Sequence, residues 1–302
     1  MLRRAAVVCL VLLAARSAVA QPGAQLLTVF PPGAKAGETV EVTLSGVGFD
    51  GAEKLLFSGE GFTAERVGAA VVDPKAPKGV PATSVKFKVT APKEKVGFYD
   101  VRVVSKGGLS NPRAFVVSDQ TEVNEAEPNN DVGQAQKVEL GTVVNGVISA
   151  PTDVDFVSFK AQKGQNVVVY CLTTSIDSKM QADVMVADSD GKQLASNRGY
   201  RGGDALLDFL VPKDGEYVVR VAQFAYTSGG PDHFYRLTVT RGPWVGAVFP
   251  PLAADGAAVS SWVVPPAAAG ADLREPTAPG AAPRLAGANP PVLDNEKNLT
   301  AA

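Results

Sequence analysis

The sequence predicts an all-β protein: two antiparallel β-sandwiches in tandem, followed by a largely disordered Ala/Pro-rich tail. Three observations predict it. Short runs alternate apolar and polar residues at period two, so that one face of each run enters a core and the other meets solvent. Gly and Pro interrupt those runs often enough for antiparallel turns. No window of helical length carries an apolar stripe at a 3.6-residue period.

Residues 1–20, MLRRAAVVCLVLLAARSAVA, read as a secretory signal peptide: Arg3 and Arg4 precede an apolar run, and Ala18-Val19-Ala20 offers a cleavage site. The run is too short to span a bilayer, and no later segment is long and apolar enough to do so. The expected location of the mature chain is therefore outside the cell or in the periplasm or cell envelope. Cleavage would remove Arg3, Arg4 and Arg16 and no acid, taking the formal charge from −2 to about −5. A mildly acidic chain without basic clusters argues against a nucleic-acid partner. Cys171 is then the single cysteine, in the apolar run V167-V-V-Y-C-L172, and reads as a small buried hydrophobe.

The first sandwich is expected over residues 25–118. In T39-V-E-V-T-L-S45, Val40, Val42 and Leu44 share one face; V85-K-F-K-V89, Y99-D-V-R-V103 and R113-A-F-V-V117 repeat the pattern. The acidic stretch 119–130 reads as a linker. A second sandwich of about seven or eight strands, of jelly-roll kind, is expected over 131–242. Asp190-Gly191 and Asp214-Gly215 read as hairpin turns, and D131-V-G-Q-A-Q-K137 as a helical turn. Residues 243–302 begin with V248-F-P-P251, which repeats V29-F-P-P32, with Gly256 and Val259 standing where Gly37 and Val40 stand. The repeat is unfinished. From Pro265 to Pro291, 19 of 27 residues are Ala, Pro or Gly, too few apolar groups to fold alone.

Catalytic machinery is sparse. His233 is the one histidine, next to a predicted strand, and no G-x-S-x-G, H-E-x-x-H or C-x-x-C occurs. G46-V-G-F-D-G51 has dinucleotide spacing, but a short strand and not a helix follows it, so it reads as a tight turn. D188-S-D190-G191 lacks the later acids of a calcium loop.

The acidic stretch is different. Asp119, Glu122, Glu125, Glu127 and Asp131 occur without an intervening Lys or Arg, and Asp153 and Asp155 stand at the start of a later strand. Alternate residues of an extended segment share a face, so Glu125, Glu127 and Asn129 can converge, as can Asp153 with Asp155. Several oxygens brought together are what a hard cation such as Ca²⁺ requires. A solvated hinge would read the same way, and spacing leaves both alternatives open.

E125-A-E-P-N-N130, G141-x4-G146-x-I148, D153-V-D-F-V-S-F159, K163-G164, D190-G191, D214-G-E-Y217 and Y235-R-L237 together resemble the bacterial pre-peptidase C-terminal domain over about residues 123–241. That family is a β-sandwich of secreted proteins, often beside peptidase domains, and its collagen-binding relatives hold Ca²⁺. The resemblance implies Glu125, Glu127, Asn129, Asn130, Asp153 and Asp155 as ligands. V29-F-P-P32, G37, V42-T-L-S-G-V-G-F49 and G97-F-Y-D-V-R-V-V-S-K-G-G-L-S110 resemble the IPT/TIG type, which implies an immunoglobulin-like first sandwich. Neither family supplies a catalytic residue here. The expectation is a non-catalytic module that binds an extracellular protein or polysaccharide; Phe224, Tyr226, Phe234 and Tyr235 are its aromatic candidates, although core packing is the first reading of each. The alternative is an accessory fragment of a secreted peptidase or other hydrolase.

Overall fold

The computed structural model describes residues 23–72, 82–200, 202–241, 244–249 and 260–264, the last two by backbone alone. The expected signal peptide and the Ala/Pro-rich tail lie outside the described residues. Among those residues the structure is nearly all β.

The first sandwich pairs a four-stranded sheet, β1 (Gln25–Phe30), β3 (Thr39–Val47), β6 (Ser84–Thr90) and β5 (Thr63–Val71), with a second sheet. The second runs β2 (Gly33–Lys35), β9 (Arg113–Ser118), β7 (Gly97–Ser105) and β4 (Lys54–Phe57), with β8 (Gly108–Leu109) beside β7. The period-two alternation does its expected work: Val42, Leu44, Val85, Phe87, Val89, Val101 and Val103 point into one core. Phe57 and Phe62 stack at 4.1 Å beside Phe115 and Tyr99. The glycine run at 46–51 is the turn from β3 toward β4. Gly48 and Gly51 have φ of 77° and 60°, a left-handed backbone that favours glycine, and no helix follows.

The second sandwich packs two five-stranded sheets. One is β10 (Thr121–Asn124), β12 (Thr142–Val147), β19 (Phe234–Arg241), β14 (Asn166–Leu172) and β17 (Ala205–Leu210). The other is β11 (Gln136–Lys137), β13 (Val154–Ala161), β18 (Gly215–Gln223), β15 (Ala182–Asp188) and β16 (Gln193–Arg198). Their core includes Val144, Phe159, Val169, Leu207, Phe209, Tyr217 and Leu237. Asp190-Gly191 closes the β15–β16 hairpin as expected. Asp214-Gly215 does not close one: β17 pairs with β14, whereas β18 pairs with β13 and β15. Pro212 has no N–H to continue the β17 ladder. Asp214 instead accepts a 2.7 Å bond from Lys163 N, so this turn carries the chain between the layers.

The stretch read as a linker is ordered by the second sandwich, since Thr121–Asn124 adds a parallel strand to β12. A single 3₁₀ turn, Val132–Gln134, follows. The sandwiches also share an apolar contact. Val116, Phe30 and Ala114 of the first pack with Leu172, Ile176 and Phe234 of the second. Asp177 accepts from Ala114 N at 2.8 Å and pairs with Arg113 at 3.5 Å. At its rim Arg236 is buried, paired with Glu122 at 2.5 Å and donating to Asn145 at 3.2 Å. A side chain on Gly33 would strike the Arg236 guanidinium, so glycine permits this approach.

Candidate functional site

β10 and β11 belong to opposite sheets, so the segment between them, Glu125 to Ala135, crosses one end of the second sandwich. The same end receives Asp153-Val154-Asp155, where the chain enters β13. Phe156 N donates to Asn129 O at 2.9 Å and Glu125 N to Asn145 O at 2.9 Å, pinning the crossing to both layers. The sequence therefore joins two distant acidic motifs by anchoring the backbone of the first to both β12 and β13.

Glu127, Asp153 and Asp155 each offer a carboxylate oxygen, all within 4.8 Å of one another. Asp155 is fully buried, and its Oδ2 has no hydrogen-bond partner. Burial first, then the charge of Glu125, pushes its carboxyl up to about 9. Glu125 lies against Asp155 on the inner side; burial raises its pKa, although Val147 N donates to it at 2.8 Å. Asp153 takes two bonds on one oxygen, from Ser149 N at 2.6 Å and Ser149 Oγ at 2.7 Å. Among the described residues, no Lys, Arg or His forms an ion pair with any of these four acids.

Asn129 is fully buried, and the end of its amide lies 3.2 Å from Glu127 Oε2 and 3.0 Å from Asp155 Oδ1. With its NH₂ there it donates to both; with its oxygen there it extends a ring of oxygens that a cation would hold together. Asn130 is exposed, and its amide donates to Glu127 Oε2 at 3.1 Å, so it braces a carboxylate from outside.

Four contacts escaped the sequence reading. Tyr235 OH donates to Glu125 Oε2 at 3.1 Å, and burial raises its pKa well above the ordinary phenol value. Gly146 lies directly beneath: a side chain there would collide with both Tyr235 and Glu125. Ser149 orients Asp153, and Arg236 neutralises Glu122. A charged Arg236 inside the apolar run F234-Y-R-L237 was the available signal, because a buried guanidinium needs an acid.

The remaining candidates sort plainly. Cys171 is buried, which raises its thiol pKa. His233 is also buried, held by Asp232 at 2.8 Å and Ser228 at 3.0 Å, and the other oxygen of Asp232 pairs with Lys179 at 2.7 Å. This chain of contacts ties the 228–233 loop to Lys179. Phe234 and Tyr235 are buried, whereas Phe224 and Tyr226 are exposed, with Arg198 4.9 Å above the Phe224 ring.

Residues 153–223 match the family model described as the bacterial pre-peptidase C-terminal domain, so the second sandwich carries that domain. A 107-residue stretch is 31% identical to a protein of Deinococcus radiodurans described as a probable subtilase-type serine protease; it covers 34% of this chain and 15% of that protein. This chain thus spans a small part of its curated relative's length. Among solved structures, the chain is similar to the pre-peptidase C-terminal domain of a Bacillus anthracis collagenase, at 17% identity and a TM-score of 0.31 over 38% of this chain and 100% of that one. It is also similar to the secreted serine protease VesC of Vibrio cholerae, at 12% identity and a TM-score of 0.27 over 73% and 51%. A Bacteroides ovatus glucan-utilisation protein, SGBP-B, solved with a mixed-linkage heptasaccharide, matches at 13% identity and a TM-score of 0.22 over 67% and 53%. Among the described residues, no helix is long and apolar enough to cross a membrane.

Proposed function

We propose that this chain is a non-catalytic module of an exported bacterial protein, in which a calcium ion clasps the entry segment of the second sandwich to its body. The observation that carries this reading is the convergence of the Glu127, Asp153 and Asp155 carboxylates, beside which one buried oxygen of Asp155 has no partner. The residues fit the group: the donors are oxygens, as a hard divalent cation prefers, and the amide of Asn129 can add one more. Glu127, Asp153, Asp155 and Asn129 would hold the ion. A bound divalent charge would offset the repulsion among the acids and link residues 125–131 to the start of β13.

The chain's own groups prepare this arrangement. Ser149 fixes the Asp153 rotamer, Tyr235 and Val147 N hold Glu125, and Gly146 leaves room for both. Thermal denaturation tests the reading. Millimolar Ca²⁺ should raise the melting temperature above that in chelator, and Asp153→Ala should remove the rise. Equal melting temperatures with and without calcium would sink it.

The partner in this reading is an extracellular protein or polysaccharide, with the exposed Phe224 and Tyr226 as contact residues. A second reading is favoured by the 31% identity to the subtilase-type protease, in which this chain is an accessory part of a secreted peptidase. Hydrolysis of a peptide substrate by the isolated mature chain would overturn the non-catalytic assignment.

A further inference from the structure

The sheet β10-β12-β19-β14-β17 buries both of its faces. One face lines the core through Val144, Leu237, Val169 and Leu207. Opposite residues of an antiparallel pair share a face, so Val143 with Thr238, Tyr170 with Leu206, and Val168 with Asp208 lie on the other. Val143, Val168, Leu206, Asp208 and Thr238 are buried there, none more than 6% exposed. The first sandwich covers the neighbouring rows, Arg236 with Leu172 and Phe234, but none of the apolar clusters among the described residues includes Val143, Val168 or Leu206.

The chain itself offers the cover. It leaves β19 at Arg241 and resumes strand structure in β20 (Trp244–Phe249), which pairs with β21 (Ser260–Val264). Three Cα steps reach at most about 11 Å, roughly the distance between packed sheets, so this face is within reach of the start of β20.

The β20–β21 pair repeats the β1–β3 pair. Phe30–Thr43, Val29–Leu44 and Thr28–Ser45, then a break, then Leu26–Gly46 and Gln25–Val47 recur as Phe249–Ser260, Val248–Ser261 and Ala247–Trp262, then a break, then Val245–Val263 and Trp244–Val264. Substitutions fall on both faces, and on one of them they remove polar residues. Gln25, Thr28 and Ser45 become Trp244, Ala247 and Trp262, so a mostly polar face becomes apolar. The other face carries Val245, Val248 and Val263, with Ser261 where Leu44 stands, so both faces of the pair are largely apolar and call for cover.

We propose that the β20–β21 hairpin docks by its Trp244–Ala247–Trp262 face on the outer face of β12-β19-β14-β17, over Val143, Val168 and Leu206. The third unit is then a fixed cap on the second sandwich and not a tethered strand pair. Asp208 agrees with a water-excluding cover, since burial lifts its carboxyl to about 6 despite the Asn166 amide beside it.

Tryptophan fluorescence tests the proposal directly, because Trp244 and Trp262 are the chain's two tryptophans. The intact mature chain should emit at short wavelength and resist acrylamide quenching. Val168→Glu should red-shift the emission and open it to quencher while the far-UV spectrum holds; Leu206→Gln is the milder substitute if that variant does not fold. Truncation after Arg241 should create a site for a hydrophobic dye. Solvent-like emission from the folded parent, or emission indifferent to a folded Val168→Glu or Leu206→Gln variant, overturns the proposal. Emission that shifts with protein concentration as a dimer forms overturns it as well, since a second copy is then the cover.

Discussion

Two acids three residues apart, Glu122 and Glu125, meet opposite fates in the same ordered segment. Glu122 reaches Arg236 with both oxygens and is tied to Asn145 and Ser118. Glu125 reaches a tyrosine and a backbone N–H, and its nearest charged neighbours are other acids. Taking a charge out of water costs several kcal/mol unless an opposite charge offsets it. The first cluster carries its cation in the chain, and the second gathers Glu125, Glu127, Asp153 and Asp155 without one. The difference separates a structural ion pair from the cluster in which we propose a calcium ion.

Breaking the paired cluster should have the largest effect. Arg236→Ala leaves Glu122 and Asn145 without their partner at the contact between the sandwiches, and should cost about 3–5 kcal/mol in denaturant unfolding. A loss under about 1 kcal/mol would mean that the guanidinium is dispensable and the contrast misplaced.

The unpaired cluster should respond in the opposite sense. In calcium-free buffer the Asp155 carboxyl is raised from 3.8 to about 9 in the folded state. Its stabilising contribution is then complete below the unfolded value, near pH 4, and disappears progressively as pH rises toward 9. Asp155→Asn should flatten that decline and raise the melting temperature at pH 8 in chelator, while removing any response to calcium. An Asn variant that melts lower than the parent at pH 8 without calcium would contradict this.

The smallest effect belongs to the part-exposed pair. A double-mutant cycle of Arg113→Ala and Asp177→Ala isolates their 3.5 Å contact across the two sandwiches, where both side chains are partly in water, from the 3.1 Å bond that Arg113 Nε donates to Leu26 O. Solvent screening limits the expected coupling to about 0.5 kcal/mol in the same unfolding assay. A coupling comparable with the loss in Arg236→Ala would show that burial is not what ranks these pairs.

The strands were legible because each half-buried run, such as Thr39–Ser45, declares its two faces by alternation. The layer change at Asp214-Gly215 was not, because a turn dipeptide marks a reversal without saying which sheet receives the next strand. In the acidic region, alternation brought Glu127 and Asn129 together and spacing paired Asp153 with Asp155. Which acids were neutralised could not be read, because Arg236 is 114 residues from Glu122. Tyr235 was legible as a core residue, but its hydroxyl contact with Glu125 depends on Gly146, whose missing side chain creates the space.

Calorimetric titration of the mature chain with Ca²⁺ tests the central claim most directly. A saturable heat in the parent, lost in Glu127→Ala and Asp153→Ala variants that retain the parent's far-UV spectrum, is the predicted result. A parent that shows neither heat nor a thermal shift at millimolar calcium, or variants that titrate as the parent does, would contradict it.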